Sequence, residues 1–183
     1  SGKGVVIFEN FVFERTALTS FEIPEKTTKV SARTFLGTPV GEYTVQSGNT
    51  EFSAKDGVLF NADRSKLEIY PAEKEEKGYQ IPEGCTEIGR YAFRDVKNLK
   101  SIDLTGVVSL EEGAFYGASL SGKLILPDSL TKLEGGFLFE NCTAIKQVNA
   151  GNHLKKIAAR TFTGCDALTE VKLPQSITWA DEH

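Results

Sequence analysis

The chain reads as a β-rich solenoid, and three features of its 183 residues predict that fold class. Phenylalanine recurs at Phe13, Phe35, Phe93, Phe115, Phe139 and Phe162, in steps of 22, 58, 22, 24 and 23 residues. An apolar residue precedes each mark by five or six positions: Phe8, Val30, Ile88, Leu110, Leu133 and Ile157. A small or turn-forming residue follows most marks by two: Gly37, Asp95, Gly117, Asn141 and Gly164. A unit this short cannot bury an apolar face alone, so it must stack on a neighbour of the same kind. Aromatic rings of consecutive windings are then expected to touch in one shared interior.

Each unit divides into two halves. The opening half reads aliphatic-x-x-aliphatic-x-aliphatic-Pro, as in Leu18-Thr19-Ser20-Phe21-Glu22-Ile23-Pro24 and Leu168-Thr169-Glu170-Val171-Lys172-Leu173-Pro174. Period-two alternation over Phe21-Glu22-Ile23 or Val171-Lys172-Leu173 predicts a short strand with one buried face. Equivalent strands stack into a parallel sheet, and Pro24, Pro82, Pro127 and Pro174 end them because proline cannot donate to the ladder. The closing half, about 30–35 in one unit, is too short for a full helix and predicts a second short strand or a single 3-10 turn. The Gly, Asp or Asn two places past each Phe predicts a turn at positive φ, where those residues cost least.

The 58-residue step is a standard coil interrupted by extra structure. Val58-Leu59-Phe60 and Leu67-Glu68-Ile69-Tyr70, joined by the polar stretch 61–66, predict an inserted hairpin at about 50–78. Glu73-Lys74-Glu75-Glu76-Lys77 reads as a solvated loop.

Composition narrows the class. With 40% apolar and 25% charged residues the chain has material for a continuous core. No apolar stretch approaches the length of a membrane span, so no membrane insertion is expected in this segment. A net charge of -4 with scattered lysine and arginine disfavours nucleic acid as a partner. The start Ser1-Gly2-Lys3-Gly4 and the absence of methionine predict one domain, 1–183, cut from a longer chain. Cys85, Cys142 and Cys165 are odd in number and form no C-x-x-C pair, so they read as small core residues; a redox pair between adjacent coils is the alternative.

Taken together, Ile81-Pro82-Glu83-Gly84-Cys85-Thr86-Glu87-Ile88-Gly89-Arg90-Tyr91-Ala92-Phe93 resembles the BspA-like leucine-rich repeat of bacterial surface proteins. That unit reads Leu-x-x-Ile-x-Leu-Pro, then Ile-Gly-x-x-Ala-Phe, then Cys. Gly135-Gly136 and Phe139-Glu140-Asn141-Cys142 repeat the likeness, and the hairpin is similar to an insertion that interrupts such arrays. Thr34, Leu138 and Thr161 depart from the Ala, and Thr105 and Gly151 from the Pro. The resemblance implies a right-handed leucine-rich repeat coil with short parallel strands and 3-10 turns. It also implies a secreted or cell-surface module for adhesion or ligand recognition, without a catalytic motif.

No residue pattern points to catalysis, a metal or a cofactor. His153 and His183 lack partner spacing. Glu75-Glu76 and Glu111-Glu112 read as solvated acids, and Gly135-Gly136 lacks the context of a phosphate cradle. Asn141-Cys142-Thr143 matches a glycosylation acceptor and is read as accidental. A binding face is nominated by geometry instead. The central outward position of successive strands stacks Glu22, Thr44, Gln80, Asp103, Ile125, Asn149 and Lys172 into one row, because a side chain between two buried neighbours points out. The expected partner of this monomer is a protein or glycan. Alternatives are a structural spacer, a solvated sheet face without a ligand, or glycan capture by Tyr43, Tyr91, Tyr116 or Trp179, the last equally a hydrophobic cap.

Overall fold

A computed structural model describes residues 4–177; Trp179 and His183 lie outside the described residues. The described chain runs through short strands: β1 (Val6–Ile7), β2 (Ser20–Ile23), β3 (Thr27–Lys29), a 3-10 turn Ala32–Phe35, β4 (Glu42–Val45), β5 (Phe52–Lys55), β6 (Val58–Asn61) and β7 (Lys66–Ile69). There follow β8 (Gly78–Gln80), β9 (Glu87–Ile88), β10 (Ser101–Asp103), β11 (Ser109–Leu110), β12 (Ser121–Ile125), β13 (Lys132–Leu133), β14 (Ala144–Asn149) and β15 (Glu170–Lys172). They wind into a β-solenoid of about seven turns.

Equivalent halves of the repeat stack in parallel. Opening strands pair as β2–β4, β8–β10 and β12–β14–β15, and closing strands as β1–β3 and β7–β9–β11–β13. Prolines 24, 82, 127 and 174 stand just beyond their strands, where a missing N–H breaks no ladder. Successive turns are also tied at the Phe itself: the amides of Phe93, Phe115 and Phe139 donate to the carbonyls of Ala114, Leu138 and Thr161 at 2.7, 2.8 and 2.8 Å. Two residues on, Gly37, Asp95, Gly117, Asn141 and Gly164 all take positive φ, between 54 and 70°. Arg15 holds the same place at φ 54°, a left-handed position its side chain does not advertise.

Departures from the repeat are absorbed locally. Thr34 donates from Oγ1 to the Glu9 carbonyl at 3.0 Å and Thr161 to the Ala158 carbonyl at 2.7 Å, so each buried hydroxyl has a partner. Gly151 is required by space, since a Cβ there would lie 2.4 Å from the Pro127 carbonyl oxygen.

The aromatic column is split in two, against the expectation of one shared interior. Phe13 stacks on Phe35 at 5.5 Å, and Phe35 ends against Tyr43 at 5.3 Å. A second ladder runs Tyr70, Phe93, Phe115, Phe139, Phe162, with centroids 4.8, 4.8, 5.0 and 5.7 Å apart. No ring contact joins Phe35 to Phe93 among the described residues. Tyr70 takes the vacant rung: it lies 23 residues before Phe93, and its amide donates to the Ala92 carbonyl at 2.8 Å as the other rungs do.

The insertion causes the split. The expected hairpin forms as the antiparallel pair β6–β7, and β5, antiparallel to β6, extends it to a three-stranded meander whose β7 continues parallel to β9. Its extra strand escapes sequence reading because Phe52-Ser53-Ala54-Lys55 holds one large apolar residue. The β5–β6 link is Asp56-Gly57 at φ 52 and 77°, the mirror-image turn whose twist suits a two-residue connection. Both faces of β6 are buried, while β7 buries Leu67 and Ile69 and leaves Lys66 and Glu68 half-buried. Leu59 and Ile69 join the core of Ile23, Val30, Phe35 and Tyr43, whereas Val58, Phe60 and Leu67 join the core of Phe93, Phe115 and Phe139. The meander is thus a septum: β6 feeds alternate side chains into the two clusters, and a register shift in its pairing with β7 accompanies the division of Leu67 and Ile69 between them.

Two further expectations are corrected. Val171 and Leu173 are each 41% exposed, because among the described residues no winding packs beyond β15. The 73–77 segment is a clasp: Lys74 donates to the Asp56 carbonyl at 2.7 Å, Glu76 accepts from the Tyr70 hydroxyl at 3.2 Å, and Lys97 pairs with Glu73.

Candidate functional site

The opening strands position the predicted row. Phe21 and Ile23, or Leu124 and Leu126, turn inward, so the residue between them faces out. Register then aligns Glu22 with Thr44, Gln80 with Asp103, and Ile125 with Asn149 and Lys172. All are exposed except Asn149, which is half-buried. The row is not continuous. Beyond Thr44, β4 packs against β5 and β6 of the meander, which separates the first pair from the rest. Between β10 and β12 the strands are tied by one amide, Ser121 to the Lys100 carbonyl at 2.9 Å. A shallow depression opens there, lined by Asp103, Thr105, Lys123, Ile125 and Pro127.

Charge along the row is locally managed. The Asp103 carboxylate accepts from Thr105 Oγ1 at 2.6 Å and from its amide at 2.9 Å, which holds its carboxyl below the usual range. Glu22 accepts from Gln46 at 3.0 Å, and Lys172 pairs with Glu170 at 3.3 Å. Ile125, 55% exposed, is the apolar member of this polar row. The arrangement offers donors and acceptors around one apolar contact.

The surface tyrosines differ from expectation. Tyr43 is 2% exposed, because it packs edge-on against Phe35. Tyr91 and Tyr116 are half-buried and their rings are occupied: Arg94 lies 5.4 and 4.7 Å from their centroids, and Arg33 lies 5.5 Å from that of Tyr91. Tyr91 donates from its hydroxyl to Glu112 at 2.8 Å, and Asn141 donates to the Tyr116 hydroxyl at 3.0 Å.

The adjacent acids Glu111 and Glu112 are engaged and not merely solvated. Glu111 pairs with Lys66 at 2.8 Å and accepts from the Arg90 amide at 3.0 Å, while Glu112 pairs with Arg90. Sequence reading missed this network because its partners come from different windings. The stacking of Arg33 and Arg94 on Tyr91 and Tyr116 was missed for the same reason.

The thiols are buried and free. Cys142 and Cys165 donate weakly to the Phe115 and Phe139 carbonyls of the preceding turn, at 3.0 and 3.2 Å. Burial pushes the Cys142 thiol up to about 12 and the Cys85 thiol up to about 11. His153 approaches only the Asp128 carbonyl, at 2.9 Å. No group of three His, Cys, Asp or Glu side chains among the described residues is placed to hold a metal, and no helix there is long and apolar enough to cross a membrane.

Comparison with known proteins agrees with this geometry. The profile for the BspA type leucine rich repeat region matches in six copies, over residues 2–56 and 73–183, leaving out most of the meander. No curated protein matches in sequence. A leucine-rich repeat protein from Eubacterium ventriosum is similar in structure, with a TM-score of 0.73 and 30% identity over 85% of this chain. The pneumococcal vaccine antigen PcpA has a TM-score of 0.66 at 23% identity over 88% of the chain. A leucine-rich cell surface protein from Faecalibacterium prausnitzii has a TM-score of 0.62 at 23% identity over 93%. The chain spans about half the length of these structures, 49%, 47% and 52% respectively. The six repeat copies, with the parallel winding described above, establish that the chain belongs to the BspA-type leucine-rich repeat family.

Proposed function

We propose that the chain is a non-catalytic recognition module, secreted or displayed on a bacterial surface, that binds a protein ligand through the strand row as a monomer. The supporting observation is the register of the row: Gln80 beside Asp103, and Ile125 beside Asn149 and Lys172, pointing outward with an apolar contact among charges. Polar groups around a small apolar centre are the composition of protein interfaces. Surface placement is supported by one structural neighbour, itself described as a cell surface protein. A spacer role is the second reading, favoured by charges of the row that are already satisfied within the chain, Asp103 by Thr105 and Lys172 by Glu170.

Pull-down against immobilised fibronectin, laminin and collagen tests the proposal. Asp103→Lys with Lys172→Glu is expected to abolish capture while leaving the fold intact. Capture unchanged by the double variant removes this face, and no capture by the parent chain favours the spacer.

A further inference from the structure

The turns that lead into the closing halves of the first three windings enclose a hollow of about 270 Å³, lined by Val5, by Glu25, Lys26 and Thr27, and by Gly48 and Glu51. Thr27 sets this place apart from the same turn elsewhere. It lies three residues before the closing aliphatic Val30, where later windings carry Cys85, Val107, Leu130 and Leu154, each at most 2% exposed. Thr27 is 1% exposed, and its Oγ1 is buried without a hydrogen-bond partner. A buried hydroxyl ordinarily finds a partner, so one left over in the wall of a hollow marks a place for a ligand atom.

Two carboxylates reach the same wall from different windings. Glu25 folds over Gly48 of the next turn: a Cβ at Gly48, whose φ is 93°, would lie 3.1 Å from Glu25 Oε1. Glu51 stands three residues beyond Gly48 and accepts at Oε1 from Thr50 Oγ1 at 3.3 Å. Asn49 fixes the two turns together. It donates from Nδ2 to the Pro24 and Thr27 carbonyls at 2.8 and 3.1 Å and accepts from the Glu51 amide at 2.9 Å. Neither carboxylate enters an ion pair among the described residues, and Lys26, the one cation of the wall, pairs with neither. Two acids against one base leave the wall net negative.

We propose that this hollow takes a lysine side chain of a protein partner, its ammonium shared among Glu25, Glu51 and the Thr27 hydroxyl. Three acceptors match the three donors of an ammonium. Val5, 63% exposed, gives the four-carbon stem an apolar wall, and lysine covers carbon in this way while its head keeps polar contacts. The volume admits the whole side chain and is far more than a bare cation fills. A calcium ion would ask for about six to eight oxygens, and no group of three His, Cys, Asp or Glu side chains among the described residues is placed to hold a metal. The site adjoins the strand row through Gln46, which accepts from the Glu25 amide and donates to Glu22, both at 3.0 Å. It does not depend on the row having a ligand.

Amide shifts in ¹H–¹⁵N spectra of the chain test this, using Nα-acetyl-lysine methylamide as probe. Saturable shifts are expected at Thr27, Gly48 and Glu51 at millimolar probe, weakened about tenfold by Glu25→Gln or by Glu51→Gln. Thr27→Val is expected to weaken binding about tenfold while the melting temperature stays at or above the parent's, because the change removes a buried hydroxyl that has no partner within the chain. With the unaltered chain, acetylating the probe's Nζ is expected to abolish the shifts, which keeps the test independent of any folding defect. Equal titration by the acetylated probe, binding untouched by Thr27→Val, a lowered melting temperature in that variant, saturable shifts at these amides from calcium chloride alone, or no saturable shift at all would each overturn the proposal.

Discussion

Replacing Phe115 by alanine removes the central rung of the longer ladder, and the cost follows from its surroundings. The ring is 0% exposed and lies between Phe93 at 4.8 Å, 18° from parallel, and Phe139 at 5.0 Å, 4° from parallel. Burial of a phenylalanine side chain is worth about 1.5–3 kcal/mol. Each aromatic pair adds about 0.5–1.5 kcal/mol beyond area. Neighbouring windings cannot collapse into the void, because the Phe115 amide still holds the Leu138 carbonyl at 2.8 Å and the Phe93 amide still holds Ala114. The void therefore persists, and Phe115→Ala should cost about 3–5 kcal/mol. Urea unfolding followed by far-ultraviolet circular dichroism reads this as a lowered midpoint with an unchanged slope. Phe162→Ala, at the half-buried end of the ladder, should cost less. A loss under about 1 kcal/mol at Phe115 would refute the stacking register.

Gly117→Val should destabilise by about 1–3 kcal/mol, because it forces a β-branched residue to φ 66° and sets a Cβ 2.2 Å from Asp95 Oδ1; a thermal melt no lower than the parent's would contradict the turn assignment. The three buried thiols should resist an aromatic disulfide reagent at pH 8 in the native chain and react in denaturant, since Cys142 is pushed up to about 12 and Cys85 to about 11 by burial; rapid native labelling would place them at the surface. Donors from Arg90 and Tyr91 hold the Glu112 carboxyl below its usual range, so its contribution is present above its unfolded pKa and lost as pH falls through the folded one. Glu112→Gln should therefore flatten the fall in stability between about pH 5 and pH 3; identical slopes in the two proteins would show the ion pair to be without effect.

What could be read from the sequence was whatever repeats. Strand positions, proline stops and the positive-φ turns follow from spacing alone, because each coil meets the same sterics. The exceptions belong to contacts across windings. Phe52-Ser53-Ala54-Lys55 carries too little apolar signal to announce a strand, and it forms one because β6 offers an antiparallel edge. Tyr43 was grouped with the surface tyrosines although it neighbours the outward Thr44 and so has the inward parity of its strand, and it packs onto Phe35. The seven row residues were predicted from alternation, and their outward direction follows; the interruption between Thr44 and Gln80 did not, since it depends on where the meander packs. Arg33 over Tyr91 joins residues far apart in the chain through the same interruption.

The central claim is that windings stack ring on ring, with Tyr70 resuming the ladder that ends at Phe35. Nuclear Overhauser contacts between specifically labelled aromatic rings measure this directly. Strong contacts are predicted for Tyr70 with Phe93 and for Phe115 with Phe139, and none between Phe35 and Phe93. A strong Phe35–Phe93 contact, or silence between Tyr70 and Phe93, would contradict it.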